Sequence, residues 1–251
     1  MPSGILRKFL VALQNDGLLI ASRKASAFLK ARAPASIKSL YPVFNIEAPL
    51  RYADREFLET IVFPLMSADR DIQNILFVGV DYYTWHYKKQ FRDKTFHTMD
   101  LEKQRAIFGN KNLHTIGSVT DLKKFFENNY FDSIVINGVI GCGLNSRADV
   151  DQALVGSFDA LRPGGQLIIG WNDLRGLLST PFRSYALPAD MNLIDFALED
   201  LDGYKLFTKY IPTEIALATN RIDVTTDNDR IICKTPSKHT FEFLYKPDVH
   251  L

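Results

Sequence analysis

A short apolar run places the strongest constraint on how this chain folds. Residues 75–80 are apolar except for Gly79, and the run stops at Asp81. So short a run favours a strand that is covered on both faces over a buried helix. Thr84 is a suitable N-cap, so the sequence predicts a helix that begins near this residue. A buried strand, a turn with glycine and a helix form the opening unit of a doubly wound α/β sheet.

The turn itself is a predicted binding site. In doubly wound sheets, ligands bind at the carboxyl ends of the strands, where helix N-termini present free backbone N–H groups. We therefore expect residues 79–83 to form the floor of a ligand pocket. The alternative is a buried strand followed by an ordinary turn, and the run alone does not separate the two.

Composition narrows the class of protein without naming a partner. The 251 residues can bury a sizeable core and fit one α/β domain with extensions. The 30 basic side chains nearly balance the 29 acidic ones, so charge does not indicate nucleic acid as a partner. The two cysteines are too few for a disulfide framework, and the five histidines are scattered without ligand spacing. We expect no metal and a cytoplasmic location.

The N-terminal segment is basic. Residues 1–40 contain seven Lys or Arg and one Asp, a net charge of +6, whereas the remainder carries 23 basic and 28 acidic side chains, a net charge of −5. Apolar residues in 4–32 recur at helical spacing, which predicts one or two helices. These helices either pack on the domain with a solvated basic face, the simpler interpretation, or contact an anionic membrane surface peripherally. The sequence predicts neither a transmembrane helix nor a signal peptide.

Strands and helices alternate through the middle of the chain. We predict strands at 75–80, 94–99, 113–116, 131–137 and 166–170, and helices at 54–66, 85–91, 102–108, 121–128 and 148–161. Such alternation implies parallel pairing with right-handed crossovers. Later segments at 204–216 and 239–245 are predicted to be an antiparallel pair of strands. The expected organisation is an N-terminal helical extension, residues 1–70, and an α/β domain, residues 71–251.

Three features resemble the class I S-adenosylmethionine (SAM)-dependent methyltransferases over residues 72–245. Phe131-Asp-Ser-Ile-Val-Ile-Asn137 is similar to the family's fourth strand, and Leu161-Arg-Pro-Gly-Gly-Gln-Leu-Ile-Ile169 to its helix-to-fifth-strand signature, the more specific match. Asp100 lies 21 residues after Gly79, the interval at which the family places the acid that binds the cofactor's ribose. The resemblance implies a Rossmann-like, doubly wound and mostly parallel sheet with an antiparallel C-terminal strand, preceded by N-terminal helices.

The resemblance also implies the cofactor, S-adenosyl-L-methionine, and the residues that bind it. These residues lie at the carboxyl ends of the first four strands: Gly79, Val80, Asp81, Asp100, Leu101, Ser118, Val119, Asn137 and Gly138. A carboxylate that accepts from two vicinal hydroxyls makes a charge-assisted contact, which favours the ribose role of Asp100. The alternative is a solvent-facing acid that caps the next helix. Ser118 replaces the acid with which the family often contacts the adenine amine, and it can accept that hydrogen bond more weakly.

The first loop departs from the family pattern, acid-x-Gly-x-Gly-x-Gly. Phe77 stands in place of the acid, Gly79 is kept, and Asp81 and Tyr83 occupy the second and third glycine positions. Asp81 either accepts from the ammonium group of the cofactor or caps a helix over residues 82–87. The sequence favours neither alternative.

Methyl transfer demands little acid–base chemistry of the protein, because the cofactor is already activated. A hydroxyl or amine acceptor can require a general base, and the weak candidates are His86, Asn137 and Asp173, which lie at or after the carboxyl ends of predicted strands. We expect a SAM-dependent methyltransferase whose acceptor is a small molecule or glycan-type compound. The alternative is a catalytically inactive, methyltransferase-like module that binds the cofactor or a partner.

Overall fold

The computed structural model of the chain describes residues 30, 33–48, 50, 52–172, 194, 196–219, 222–234 and 238–248. The predicted basic helices at 4–32 lie outside these ranges except for residue 30, and Asp173 lies outside them as well. Within the described ranges, no helix has both the length and the apolar character needed to cross a membrane.

A nine-stranded sheet forms the centre of the described part of the chain. Its strands are β1 (Asn74–Val78), β2 (Thr95–Asp100), β3 (His114–Ile116), β4 (Phe131–Asn137), β5 (Leu161–Asn172), β6 (Thr208–Lys209), β7 (Val224–Asp227), β8 (Arg230–Cys233) and β9 (His239–Tyr245). They pair in the order β3-β2-β1-β4-β5-β9-β8-β7, and β6 also pairs with β9. Pairing is parallel from β3 to β5 and antiparallel beyond β5. The predicted fold class is confirmed.

The helices predicted at 54–66 and 148–161 form with nearly the expected bounds, whereas two other predicted helices are 3-10 helices instead of α-helices. The α-helices of the described ranges are α1 (Ala35–Lys38), α2 (Ala53–Phe57), α3 (Phe63–Ala68), α4 (Arg147–Ala160), α5 (Asp202–Lys205) and α6 (Thr213–Ala218), and a π-helical turn at Leu58–Val62 joins α2 to α3. The remaining helical segments are 3-10 helices at Tyr87–Lys89, Lys103–Phe108, Val119–Lys124 and Leu198–Asp200. The segments predicted at 102–108 and 121–128 are thus 3-10 helices, and Ser118 caps the second.

Alternate side chains of the central strands fill two cores, one on each face of the sheet. Phe77 and Val135 face the first core, which Phe57 and Phe63 from α2 and α3 cover. The neighbouring side chains of the same strands face the second core, which α4 covers with Val150 and the apolar residues that follow. Burial on both faces explains the uninterrupted apolar runs at 75–78 in β1 and 134–136 in β4. The domain boundary at residue 70 stays a prediction.

The α-helix predicted at 85–91 is wrong. The chain after β1 forms successive turns and a single 3-10 turn. Trp85, His86 and Tyr87 are all buried, whereas a helix on the surface of a sheet buries only one stripe. Thr84 does not cap a helix, because its Oγ1 closes a turn by accepting from the Asp81 N–H at 2.8 Å.

The strand predicted at 204–216 is also wrong, although its short β6 portion pairs antiparallel with β9 as expected. Helix α6 begins directly after Pro212, and its six residues include strong helix formers. The hairpin of β7 and β8 was not predicted. Its turn places Asn228 and Asp229 at φ values of 47° and 56°, as a two-residue type I′ turn requires.

Candidate cofactor and acceptor site

The turn after β1 is built around a left-handed glycine. Gly79 has a φ of +87°, and a Cβ at this position would lie 2.9 Å from Val139 Cγ2. The Gly79 N–H donates to the Met99 carbonyl at 2.9 Å, and the Val80 N–H donates to Asp100 Oδ2, also at 2.9 Å. The turn therefore leaves no room for a side chain and ties the end of β1 to the end of β2.

Backbone N–H groups hold the carboxylate of Asp100 at the end of β2. Oδ2 accepts from Val80, and Oδ1 accepts from the N–H of Glu102 at 2.9 Å. Asp100 is only 8% exposed, so it does not face solvent, yet each oxygen keeps a second lone pair for a further donor. Leu101, the next residue, is 65% exposed. A carboxylate fixed in this way fits the two vicinal hydroxyls of a ribose.

Asp81 already has two partners within the protein. Its Oδ1 accepts from the N–H of Tyr82 at 2.6 Å, and its Oδ2 lies 3.5 Å from Arg105 Nη1. Burial raises the pKa of Asp81, while the Tyr82 N–H and Arg105 act against that rise. Residues 82–87 form turns and a 3-10 segment but no α-helix, so the helix-cap alternative is wrong. A contact with the cofactor's ammonium group stays a prediction.

The hydroxyl of Ser118, at the end of β3, is engaged in its own turn. Ser118 Oγ accepts from the Thr120 N–H at 3.2 Å and from Thr120 Oγ1 at 2.8 Å. Val119 is buried in the second core. Because both lone pairs of Ser118 Oγ are engaged, the group left for a ligand is its O–H donor, which suits a ring nitrogen of adenine better than the adenine amine.

A buried polar cluster lies where β4, β5 and β9 meet. Asn137 Oδ1 lies 2.9 Å from His239 Nε2, and His239 Nδ1 lies 2.8 Å from Asn172 Oδ1. Gly170 permits this contact, since a Cβ there would collide with Asn137 Oδ1 and lie 2.8 Å from His239 Nε2. Gly138 follows Asn137 in a left-handed conformation, with a φ of +71°. The structure thus brings the predicted residues Asn137 and Gly138 together with Asn172, a neighbour of the candidate Asp173, and with His239, which the sequence did not indicate.

His239 is the first of the site residues that the sequence did not indicate. Burial lowers its pKa to about 4, Asp54 opposes this shift and Arg55 adds to it, so the imidazole is neutral near neutral pH. A neutral ring donates through one nitrogen and accepts through the other, so one partner amide presents its oxygen to the ring and the other presents its nitrogen. The signal in the sequence was its place as the first residue of the alternating segment that forms β9.

Arg55, on α2, is the second such residue. It is buried, and its guanidinium carbon lies 5.0 Å from the centre of the Tyr83 ring. Its Nη2 would be 3.4 Å from a Cβ placed on Gly138, and its Nε is 3.4 Å from Asp54 Oδ2. Arginine is rarely buried without a partner, so a charged pair in a helix with an apolar inner face was the available signal.

The structure does not place His86 in this cluster. Its ring packs against the rings of its two chain neighbours, at centroid distances of 6.2 and 5.0 Å. Burial lowers its pKa, and its charged neighbours are Glu47 and Lys89. Asp173 lies outside the described residues. Of the three weak candidates for a base, Asn137 alone is found at the end of β4, and its amide can orient a ligand but is too weak a base to take its proton.

Comparisons with known proteins concern the fold. Neither protein-family models nor curated proteins match the chain. Among solved structures, a SAM-dependent methyltransferase from Archaeoglobus fulgidus is similar with a TM-score of 0.50 and 12% identity, over 75% of this chain and 91% of that chain. A second similar structure is a chain of the Haloferax volcanii complex between the Trm112 methyltransferase activator and a methyltransferase. Its TM-score is 0.50 and its identity 12%, over 78% of this chain and 91% of that chain. The N-methyltransferase NodS from Bradyrhizobium japonicum WM9 matches with a TM-score of 0.48 and 14% identity, over 78% and 97%.

At such low identity, structural similarity establishes a shared fold, and any activity has to be argued from the residues of the site. The parallel core β3-β2-β1-β4-β5 and the change to antiparallel pairing after β5 are typical of the methyltransferase fold. The chain has the fold of the class I SAM-dependent methyltransferases, as the resemblance in sequence predicted.

Proposed function

We propose that the protein is a SAM-dependent methyltransferase that acts on a small-molecule or glycan-type acceptor. The observation that carries this proposal is the unit formed by left-handed Gly79, the Val80 N–H and the Asp100 carboxylate. Asn137 lies two strands away from Asp100 in the order β2-β1-β4, a distance of roughly 10 Å. A nucleoside that carries an amino-acid chain can bridge that distance.

The residues of this chain would hold and align the reacting groups. When bound, the cofactor supplies a methyl group that its positively charged sulfur has already activated. Asp100 accepts from the ribose hydroxyls, and Gly79 and Gly138 let the backbone approach because neither carries a Cβ. Asn137 orients a polar group at the end of β4. Alignment of this kind supplies much of the rate enhancement of a displacement.

Calorimetric titration with S-adenosylhomocysteine tests the cofactor role. Wild type should bind with micromolar to sub-millimolar affinity, and Asp100→Asn should weaken binding by about 1.5–3 kcal/mol, because hydrogen bonds to a charged group are lost. Asp159→Asn is the matched control. Asp159 lies on α4 and pairs with Lys123, away from the proposed site, so this variant should bind as wild type does. A wild-type protein that does not bind millimolar ligand would contradict the proposal.

The first loop favours a second function, that of a catalytically inactive module. Asp81 and Tyr83 occupy two glycine positions, and the rings of Tyr82 and Tyr83 pack edge to face beside the turn with centroids 5.1 Å apart. A protein-free cell extract, mixed with SAM and the protein, separates the two functions. Release of S-adenosylhomocysteine above the protein-free rate supports the enzyme, and ligand binding without release supports the module.

A further inference from the structure

Two buried donor groups at the carboxyl end of β4 have no hydrogen-bond acceptor. In the part of the chain that the structure describes, this holds for Arg55 Nη1 and for Asn137 Nδ2. Arg55 is 7% exposed and Asn137 is 3% exposed. An unpaired buried donor costs about 1–3 kcal/mol, and more when it is charged. Such a cost at a strand end, where ligands bind in doubly wound sheets, indicates a place for acceptor atoms of a ligand.

The two groups lie on the same face of the sheet and border the same glycine. Asn137 immediately precedes Gly138, and Arg55 Nη2 would be 3.4 Å from a Cβ on Gly138. Helix α2, which carries Arg55, packs on Phe241 with ring centroids 5.0 Å apart. Phe241 in turn packs against His239, the partner of Asn137, at 4.9 Å. No side chain from Gly138 separates the two donors.

His239 sets the orientation of the Asn137 amide. With its proton on Nε2, the neutral imidazole donates to Asn137 Oδ1, so that Nδ2 points away from the ring. A ring that donates through Nε2 accepts at Nδ1, so the Asn172 amide, whose Oδ1 is placed 2.8 Å from Nδ1, must turn its nitrogen to this position. Gly170 leaves the room that the contact needs. The strand ends therefore hold the donor edge of Asn137 in a fixed direction.

The groups around the Arg55 charge, which are Asp54, Glu59 and the Tyr87 hydroxyl, leave Nη1 without an acceptor. Asp54 Oδ2 lies 3.4 Å from Arg55 Nε, beyond the roughly 2.7–2.9 Å of a charge-assisted hydrogen bond. Tyr83 offers the face of its ring at 5.0 Å, which attracts a cation but gives Nη1 no acceptor atom. Because arginine stays protonated in proteins, this edge of the guanidinium favours an anion.

We propose that Arg55 and Asn137 together bind a carboxylate group of a ligand at the carboxyl end of β4. A planar carboxylate offers two oxygens that accept from a guanidinium and an amide at once, in the geometry that arginine recognises. Two ligands of a methyltransferase can carry this group, the amino-acid end of the cofactor and the methyl acceptor. In naming these two sources, the inference rests on the proposed function.

A pair of ligands tests the cofactor as the source. Calorimetry compares S-adenosylhomocysteine with its decarboxylated analogue on wild type and on Arg55→Met, which keeps an unbranched side chain without the charge. If the cofactor's carboxylate occupies the site, wild type prefers S-adenosylhomocysteine by about tenfold or more, and Arg55→Met loses most of that preference. Arg92→Met, at an exposed position, is the matched control and should keep the wild-type preference.

Sodium acetate tests the acceptor as the source. Acetate should raise the thermal unfolding midpoint of wild type saturated with S-adenosylhomocysteine, relative to sodium chloride of equal ionic strength, and should leave Arg55→Met unchanged. The same comparison on ligand-free protein keeps this test independent of the proposed function. If neither the ligand preference nor the acetate effect depends on residue 55, the proposal is overturned.

A second variant guards against misfolding. If Arg55→Met does not fold, as judged by circular dichroism, Arg55→Lys replaces it in both measurements. Lysine keeps the stem and the charge but lacks the planar fork, so this variant should also lose most of the ligand preference or of the acetate effect. A lysine variant that retains both at the wild-type level would overturn the two-pronged geometry proposed here.

Discussion

The nucleoside side of the proposed site and its β4 side are built in different ways. On the nucleoside side, backbone N–H groups of Val80 and Glu102 hold the carboxylate of Asp100, and these partners lie no more than 20 residues from it. On the β4 side, side chains hold one another, and the contact between His239 and Asn137 spans 102 residues. The first side is a local backbone template, and the second exists only when three strands are paired. Changes on the first side should therefore act mainly on binding, and changes on the second on stability as well.

The largest effect on binding is expected from Gly79→Ala, on the nucleoside side. A side chain at a φ of +87° costs about 1–2 kcal/mol, and its Cβ would lie 2.9 Å from Val139 Cγ2. The ends of β1 and β2 would shift apart, so calorimetry should detect no binding of S-adenosylhomocysteine while circular dichroism shows a retained fold. Gly143→Ala, whose Cβ would meet nothing nearer than 3.9 Å, is the control. Wild-type affinity in Gly79→Ala would place the pocket elsewhere.

On the β4 side, His239 should make stability depend on pH. Folding lowers its pKa from 6.5 to about 4, so the unfolded chain binds more protons between these values. Stability is therefore lost as pH falls from about 6.5 towards about 4, by about 3 kcal/mol at most from this residue. Urea unfolding near pH 7 and near pH 4.5 should show a smaller loss in His239→Gln than in wild type. Equal losses in the two proteins would contradict the assignment.

A smaller effect, divided between stability and binding, is expected from Ser118→Ala. Loss of the cap should lower the free energy of unfolding by about 1 kcal/mol. Loss of one neutral hydrogen bond to adenine should weaken S-adenosylhomocysteine binding by about 1 kcal/mol or less. Ser146→Ala removes the cap of α4 and is the matched control, with a similar loss of stability and unchanged binding. If both variants bind S-adenosylhomocysteine equally well, Ser118 stabilises its own turn but does not contact the ligand.

The smallest effect is expected from Leu101→Ala. The side chain is 65% exposed, so the free energy of unfolding should change by less than about 0.5 kcal/mol. If Leu101 covers part of the nucleoside, calorimetry should show a loss of binding of under about 1 kcal/mol, from the apolar area that no longer becomes buried. Leu217→Ala, at a similarly exposed position on α6, should change neither quantity. Unchanged binding in Leu101→Ala would show that Leu101 does not contact the nucleoside.

The same contrast decides how far the site can be predicted from the sequence. The interval of 21 residues between Gly79 and Asp100 reflects one strand, a connection and the next strand, which is a local unit with a nearly fixed length. Strands β1 and β4 could be predicted equally well, because burial on both faces leaves apolar runs at 75–78 and 134–136. Nothing local joins Arg55 or His239 to Asn137. Their meeting depends on α2 packing over β9 and on β9 pairing with β5, which no spacing reveals.

The two errors in secondary structure have different physical causes. Residues 85–91 were predicted to be helical, yet Trp85, Tyr87 and Phe91 fill the first core from a series of turns. Residues 204–216 are rich in β-favouring side chains, but a segment after Pro212 forms α6. At 85–91 tertiary packing outweighs local propensity, which is a weak preference of well under 1 kcal/mol per residue. At 213–218 the helix formers after Pro212 agree with local propensity, and the single strand predicted over 204–216 passed over that proline.

The π-helical turn at Leu58–Val62 has a consequence for ligand recognition. A π turn contains one residue more than a regular turn, and each residue of an α-helix rotates the chain by about 100°. Phe63 of α3 covers the sheet after this turn, and Arg55 of α2 reaches Gly138 before it. The loss or gain of one residue in this turn would rotate α2, and with it the Arg55 guanidinium, by about 100° about the helix axis, while α3 would keep its packing on the sheet. A single insertion or deletion, rather than any substitution in the sheet, is thus a short evolutionary route to a protein of this architecture with a different choice of ligand.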